Sequence, residues 1–307
     1  MTSAQQEVLK VQNLKVSFGN GNEDTEVVHG ISLVAHPGQV HVILGESGSG
    51  KTVFARSAVG MNPRHSKVLG SSYVCGGAVA FDGHGGRGGG FGTDVGMIFQ
   101  DPTASLDPMY RVGDQICEAI RASTGVKLAR ENKKAALALI ESVRIHEPGK
   151  AFRLYPHEMS GGMRQRISIA IAMAGDPKLI IADEPSSALD ASVGVHVVNL
   201  INDLRRRAGS AVLFITHDIS AARIIARERG DRVCVMLKGT LVEEGPASEI
   251  FDNALHPYTQ ALLGCEPSRA VERGALSVVP DEIRNNTDWG DLTEVETDHF
   301  VAYETGA

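Results

Sequence analysis

Residues 45–52 read G-E-S-G-S-G-K-T and match G-x-x-x-x-G-K-[ST] at every fixed position. The apolar run V-H-V-I-L precedes them and the helical T-V-F-A-R-S-A-V-G follows. Between a strand and a helix, Gly45, Glu46, Ser47, Gly48, Ser49 and Gly50 form a loop whose successive backbone N–H groups can wrap a diphosphate. Glycine tolerates the dihedrals that such a loop requires. Lys51 is then placed to reach the β- and γ-phosphates, and the Thr52 hydroxyl to bind Mg2+.

A second set of reactive side chains ends a second apolar run. In K-L-I-I-A-D-E-P, Asp183 closes a buried strand, where ligands of parallel α/β sheets collect. Its carboxylate can hold Mg2+ through water, while the adjacent Glu184 points elsewhere and can polarise an attacking water. His217 ends A-V-L-F-I-T and can hold a γ-phosphate and the water together. Gln100, after G-M-I-F, is placed to sense Mg2+ and water. Taken singly, each has a plainer reading: a capped strand end, a structural histidine, a surface amide.

Residues 157–166, H-E-M-S-G-G-M-R-Q-R, pose a different question. Ser160 is a good helix cap, and Gly161 and Gly162 strip the first turn of side chains. A bare helix N-terminus is an anion site. The chain therefore carries two phosphate-binding features more than a hundred residues apart.

The elements that must position these groups alternate in character. The stretches V-L-K-V-Q-N-L-K-V-S-F and T-E-V-V-H-G-I-S-L-V are alternating strands joined by the polar G-N-G-N-E-D. More strand is expected in V-L-G-S-S-Y-V-C-G-G-A-V-A-F-D-G, and residues 83–92, G-H-G-G-R-G-G-G-F-G, read as a surface loop. Residues 111–145 turn helical. Helical V-H-V-V-N-L-I-N-D-L-R-R-R then separates the Asp183 and His217 strands, the βαβ rhythm of a parallel sheet. D-R-V-C-V-M-L-K-G and T-L-V-E-E-G close the body.

Bulk properties limit the partners. At 307 residues and 42% hydrophobic, the chain can bury a full core. Its start, M-T-S-A-Q-Q-E-V-L-K, lacks the apolar core of a signal peptide, and no run approaches the roughly 20 apolar residues of a membrane span. The four cysteines have no metal or disulfide spacing, which points to a reducing cytoplasm. The net charge of −7 resides in residues 265–307, with ten acids against three arginines, leaving 27 acids and 27 bases before them. A neutral body with an acidic tail gives no electrostatic reason to expect nucleic acid.

As an ordered set, these motifs resemble the ATP-binding subunits of ABC transporters. The set is residues 45–52 (Walker A), Gln100, Ser160-Gly161-Gly162 (signature), residues 179–184 (Walker B), Ser187-Ala188-Leu189-Asp190 and His217. The resemblance covers residues 8 to about 260. It implies an α/β P-loop NTPase fold: a RecA-like parallel core sheet, an N-terminal antiparallel β-subdomain and a helical signature subdomain at about 102–170. The cassette would span 1–264 and an acidic extension 265–307. It also implies head-to-tail pairing of two cassettes, so that Ser160, Gly161 and Gly162 serve a nucleotide bound to a neighbouring subunit. Ser187 and Asp190 belong to the D-loop of that interface, and the helical stretch 102–155 to the arm touching the membrane partner. An aromatic near the N-terminus stacks on adenine, and Phe18 is the candidate, with a core phenylalanine as the alternative.

Finer segments are similar to the peptide/nickel importer branch: F-Q-D-P-T-A-S-L-D-P, M-S-G-G-M-R-Q-R with Met163, H-P-Y-T-Q-A-L-L at 256–263 and D-H-F-V-A at 298–302. Met163 matches the first of two unlike ATPases in such importers. The branch implies ATP and Mg2+, a second ATPase chain, two transmembrane permeases, an extracytoplasmic solute-binding protein and a peripheral place on the cytoplasmic face of the membrane. Some relatives hold an iron–sulfur centre in cysteines after H-P-Y-T; here only Cys265 remains, so no cluster is expected. The glycine loop at 83–92 and the tail at 266–297 also depart from the branch's pattern. The expected function is to power import of di- or oligopeptides. The alternatives are an importer of nickel, glutathione or oligosaccharide, a soluble ABC ATPase acting on ribosomes or DNA, and a P-loop kinase.

Overall fold

The computed structural model describes residues 7–19, 24–61, 65–74, 78–81, 94–103, 105–126, 128–266 and 278–305. The glycine-rich segment 83–92 lies outside them. The apolar runs become β3 (Val40–Leu44), β7 (Leu179–Asp183) and β8 (Ala211–Thr216), in which every residue is buried. Unbroken burial is what a parallel strand covered on both faces demands. Each large aliphatic side chain so buried contributes roughly 1.5–3 kcal/mol by leaving water.

With β6 (Val95–Ile98) and β9 (Arg232–Leu237), these strands run parallel in the order β9-β3-β8-β7-β6. The antiparallel β10 (Thr240–Pro246) continues beyond β9. Helices pack on this sheet: α1 (Lys51–Ala58), α6 (Ala191–Ala208) and α7 (Ile219–Ile225). A separate four-stranded sheet of β1 (Leu9–Phe18), β2 (Thr25–Ala35), β4 (Ser66–Val74) and β5 (Ala78–Phe81) is wholly antiparallel. It shares a core with α1 and one face of the parallel sheet.

The helical stretch expected at 111–145 is two helices. α2 (Val112–Thr124) stops at Gly125, which takes a left-handed φ of 70°, and α3 (Ala129–Ser142) follows. After the short α4 (Pro148–Ala151), α5 (Gly161–Ala172) packs against α2, α3 and β6.

The body does not close at β10. After α8 (Ala247–Asp252) and α9 (Pro257–Gly264), the acidic tail returns as α10 (Asp281–Asn285), β11 (Trp289–Glu296) and β12 (His299–Glu304). β12 pairs with β10 through Glu243↔Val301 and Glu244↔Phe300, extending the main sheet to eight strands. The anchor is the fully buried Glu243, whose Oε1 lies 2.8 Å from His299 Nε2. The same carboxylate accepts from the Leu255 and His256 amides at 2.7 and 3.1 Å. A carboxylate satisfied by three donors can be buried. Acidic composition makes this segment read as solvated tail; its return involves a buried Glu243–His299 contact that no local pattern shows.

Candidate nucleotide site

β3 runs straight into the loop at residues 45–50, and α1 begins at Lys51 with no side chain capping it. Gly50 has φ 99°, and a Cβ there would lie 2.9 Å from the Val27 carbonyl oxygen. A Cβ at Gly45 would lie 2.3 Å from the Met236 carbonyl oxygen. Glycine is therefore required by the loop's own packing at both positions. At Gly48, with φ 83°, nothing lies within 4 Å of that point, so the loop is open there.

Lys51 is 4% exposed, and its ammonium donates to the Gly45 and Glu46 carbonyls at 2.8 and 2.7 Å and to Ser49 Oγ at 3.4 Å. Burial pushes its pKa down, while the carboxylates of Glu184, Asp183 and Glu46 act in the opposite direction. Among the described residues it has no ion pair, so the site holds a buried cation without a contacting anion. Such a charge is costly until an anion joins it. A buried ammonium under an open loop and an uncapped helix start is a donor set that suits phosphate.

Thr52 Oγ1 donates to Asp183 Oδ1 at 2.7 Å. Asp183 is fully buried at the end of β7, two strands from β3, and its Oδ2 accepts from Arg56 at 3.3 Å. A hydroxyl beside a buried carboxylate is an oxygen pair that suits Mg2+. Arg56 was not expected. Its signal is in the sequence: it lies four residues after Thr52 on α1, hence on the same helix face.

Glu184 turns away from Asp183 because its backbone takes φ 46°, in the left-handed region, while its N–H donates to Ile215 O at 2.9 Å. A non-glycine residue held there carries strain, which the β8 contact sustains. Gln100 Nε2 donates to Glu184 Oε2 at 3.1 Å, and His217 Nδ1 lies 3.1 Å from Oε1. One carboxylate, 11% exposed, thus gathers two residues from neighbouring strand ends. Ser187 closes the next turn, its hydroxyl donating to the Glu184 carbonyl at 3.0 Å. A cavity of about 540 Å3 opens beside them, lined by Glu184, Ser187 and His217 among others. Asp190 begins α6 without capping it.

The signature is elsewhere. Ser160 is exposed at the start of α5, where its hydroxyl accepts from the Met163 amide at 3.3 Å. Nothing lies within 4 Å of a Cβ placed on Gly161, and Gly162 would meet only Val193, at 3.6 Å. Among the described residues no hydrogen bond joins residues 160–162 to the loop at 45–52. Phe18, at the end of β1, is partly buried against the core of the β-subdomain.

Two residues near the loop come from the C-terminal segment, and the sequence reading missed both roles. Tyr258 is fully buried and its hydroxyl accepts from the Glu46 amide at 3.2 Å. Burial raises the phenol pKa to about 12. Arg284 forks onto the Glu46 carboxylate at 2.9 and 3.1 Å. Tyr258 was visible as part of H-P-Y-T, but nothing local indicates a partner 212 residues away.

A phosphate loop after a central parallel strand, with an acidic strand end across from it, defines a P-loop nucleoside triphosphatase. Residues 28–187 match the ABC transporter family, and residues 242–289 match the oligopeptide/dipeptide transporter C-terminal region. The oligopeptide transport ATP-binding protein OppD of Lactococcus lactis subsp. lactis (strain IL1403) is 36% identical over 95% of this chain and 83% of its own length. A putative peptide import ATP-binding protein of Brucella abortus (strain 2308) is 38% identical over 90% of this chain and 82% of its own. The peptidoglycan transport ATP-binding protein YejF of Agrobacterium fabrum is 40% identical over 85% of this chain, which spans 47% of that protein. Among solved structures, the dimeric bacterial ABC transporter cassette MJ0796 aligns with a TM-score of 0.65 at 25% identity, covering 78% of this chain and 98% of its own. The chain belongs to the ABC transporter family and is an ATPase cassette of it. Among the described residues no helix is long and apolar enough to cross a membrane.

Proposed function

We propose that this chain is the ATP-hydrolysing subunit of a membrane importer for di- or oligopeptides. The observation that carries this reading is the pairing of a cassette with the oligopeptide/dipeptide transporter C-terminal region, whose Tyr258 and Arg284 reach the nucleotide loop. The relatives named for oligopeptide transport and peptide import support the substrate class.

In this reading the Gly45–Gly50 amides and Lys51 hold the phosphates of ATP, Phe18 stacks on adenine, and Thr52, Asp183 and Gln100 hold Mg2+. Bound there, Mg2+ would neutralise charge developing on the phosphate oxygens. Glu184 acts as base toward the attacking water; His217 and Gln100, both on its carboxylate, keep it oriented. Ser160, Gly161 and Gly162 serve the nucleotide of a second, unlike ATPase chain, with Ser187 and Asp190 at the same interface. Residues 102–155, within the helical subdomain at 102–170, form the membrane-facing arm of the 1–264 cassette, and Arg284 of the 265–307 extension braces its loop. Two permeases and a solute-binding protein complete the assembly on the cytoplasmic face of the membrane.

The test is ATP turnover by the transporter reconstituted with its binding protein. Addition of di- or oligopeptides is expected to stimulate turnover, and nickel, glutathione and oligosaccharides to leave it at the basal rate. Stimulation by one of those three instead would reassign the substrate.

Phe18→Ala is expected to weaken ATP binding by about 1–3 kcal/mol, the usual loss of one aromatic stack under a base. GTP should weaken to a similar extent, because stacking reads any flat ring. Unchanged affinity for both nucleotides, by titration of the purified chain, would return Phe18 to the core.

A further inference from the structure

Glu46 is the only acidic residue in the 45–52 loop, one residue after Gly45 in the segment read as the phosphate cradle. Left free, its carboxylate would repel that charge and compete for Lys51, whose ammonium already donates to the Glu46 carbonyl at 2.7 Å. The structure instead draws it outward. Arg284 Nε and an Arg284 terminal nitrogen donate to its two oxygens at 3.1 and 2.9 Å, a two-point contact that fixes direction as well as charge. Arg284 also lies 3.5 Å from Asp281 of its own helix, but that carboxyl is largely exposed.

The segment carrying Arg284 is itself fastened to the loop's surroundings. Lys238 Nζ donates to the Asn285 side-chain oxygen at 3.2 Å, and the next residue, Gly239, donates its N–H to Ser49 O at 2.9 Å. Trp289 Nε1 donates to Asn286 O at 3.1 Å while its ring meets the edge of His256, 4.2 Å between centroids. Val279 is buried just before α10. The tail thus grips the phosphate loop near both of its ends, at Glu46 directly and at Ser49 through the 238–239 turn.

We propose that Arg284 is a positioning residue for the nucleotide: by holding the Glu46 carboxylate away from the phosphates and from Lys51, the C-terminal extension sets the affinity of the loop for ATP. This rests on the reading of residues 45–52 as the ATP site. Both partners are about one-third exposed, 36% for Arg284 and 31% for Glu46, so solvent screens much of the effect.

The experiment is equilibrium titration of the full-length chain with a fluorescent ATP analogue and Mg2+, alongside a thermal melt. Arg284→Ala is expected to weaken binding about three- to fivefold, the upper part of the range for a partly exposed ion pair. The deficit should shrink at high salt as charges are screened. Arg284→Lys, which keeps the charge without the fork, should fall between. The decisive variant is the double substitution Glu46→Gln/Arg284→Ala. With the stray carboxylate gone, binding should recover to within about twofold of wild type, since the charge to be restrained is absent. A merely structural arginine would not be rescued this way. Lys51→Ala, run in parallel, tests the loop assignment itself and should lose useful binding. Wild-type affinity in Arg284→Ala, or a double variant as weak as the single, overturns the proposal when Lys51→Ala is defective. Wild-type affinity in Lys51→Ala would remove the loop assignment instead.

Discussion

Glu184→Gln is expected to slow ATP hydrolysis about 10²–10⁴-fold, the usual loss when a positioned general base is removed. The substitution keeps the side chain's size and its capacity to hydrogen-bond Gln100 and His217, both now 3.1 Å from its oxygens. What it removes is the carboxylate charge. Binding should survive, because the hydrogen bonds of Lys51 and of the Thr52–Asp183 pair do not use the Glu184 side chain. Removing a negative charge from the phosphate side of the site favours the bound anion, so an ATP-loaded, closed pair of cassettes should accumulate. The partner's site complicates the measurement, since its turnover would mask the loss. Single-turnover hydrolysis in the assembled complex, with the partner's equivalent glutamate already disabled, isolates this site. Wild-type speed there would exclude Glu184 as the base and make His217 the next candidate.

The geometry explains why His217 is second. It is 49% exposed and is held by Glu184, whose unusual φ of 46° aims the carboxylate between two strand ends. Strain of this kind persists only where surrounding contacts enforce it, here the Glu184–Ile215 backbone bond. A local sequence pattern shows the Asp-Glu pair but not which backbone well each occupies.

That difference runs through the whole molecule. The parallel core was legible because V-H-V-I-L, L-I-I-A-D and A-V-L-F-I-T are continuous apolar runs that only a doubly covered strand can bury. The phosphate loop was legible because its function and its packing ask for glycine at the same positions. Arg56 could have been read from its spacing to Thr52. The tail was not legible. Residues 278–305 are rich in acids, and what returns them to the body is the buried Glu243–His299 pair, the Trp289–His256 contact and the Arg284 fork, all between residues far apart in sequence. Periodicity carries information about faces, not about distant partners.

The two phosphate-binding features expected from the sequence have their largest consequence in turnover. Ser160 is exposed, Gly161 has nothing within 4 Å of where a side chain would begin, and neither bonds the chain's own loop among the described residues. In the proposed function the α5 N-terminus offers its backbone donors to something outside this chain. In the reading proposed above, that is the nucleotide of a second cassette, and this chain's own Walker A site waits for the reciprocal contribution. Removing one preorganised donor from a developing anion costs about 10²–10³ in rate. A single cassette lacks a whole helix end. The most direct measurement is the ATP turnover per site of the full-length chain, shown to be monomeric by light scattering, against that of the assembled transporter under the same conditions. The split-site account predicts that the monomer is slower by at least about 10²-fold. A monomer turning over as fast as the complex would contradict it.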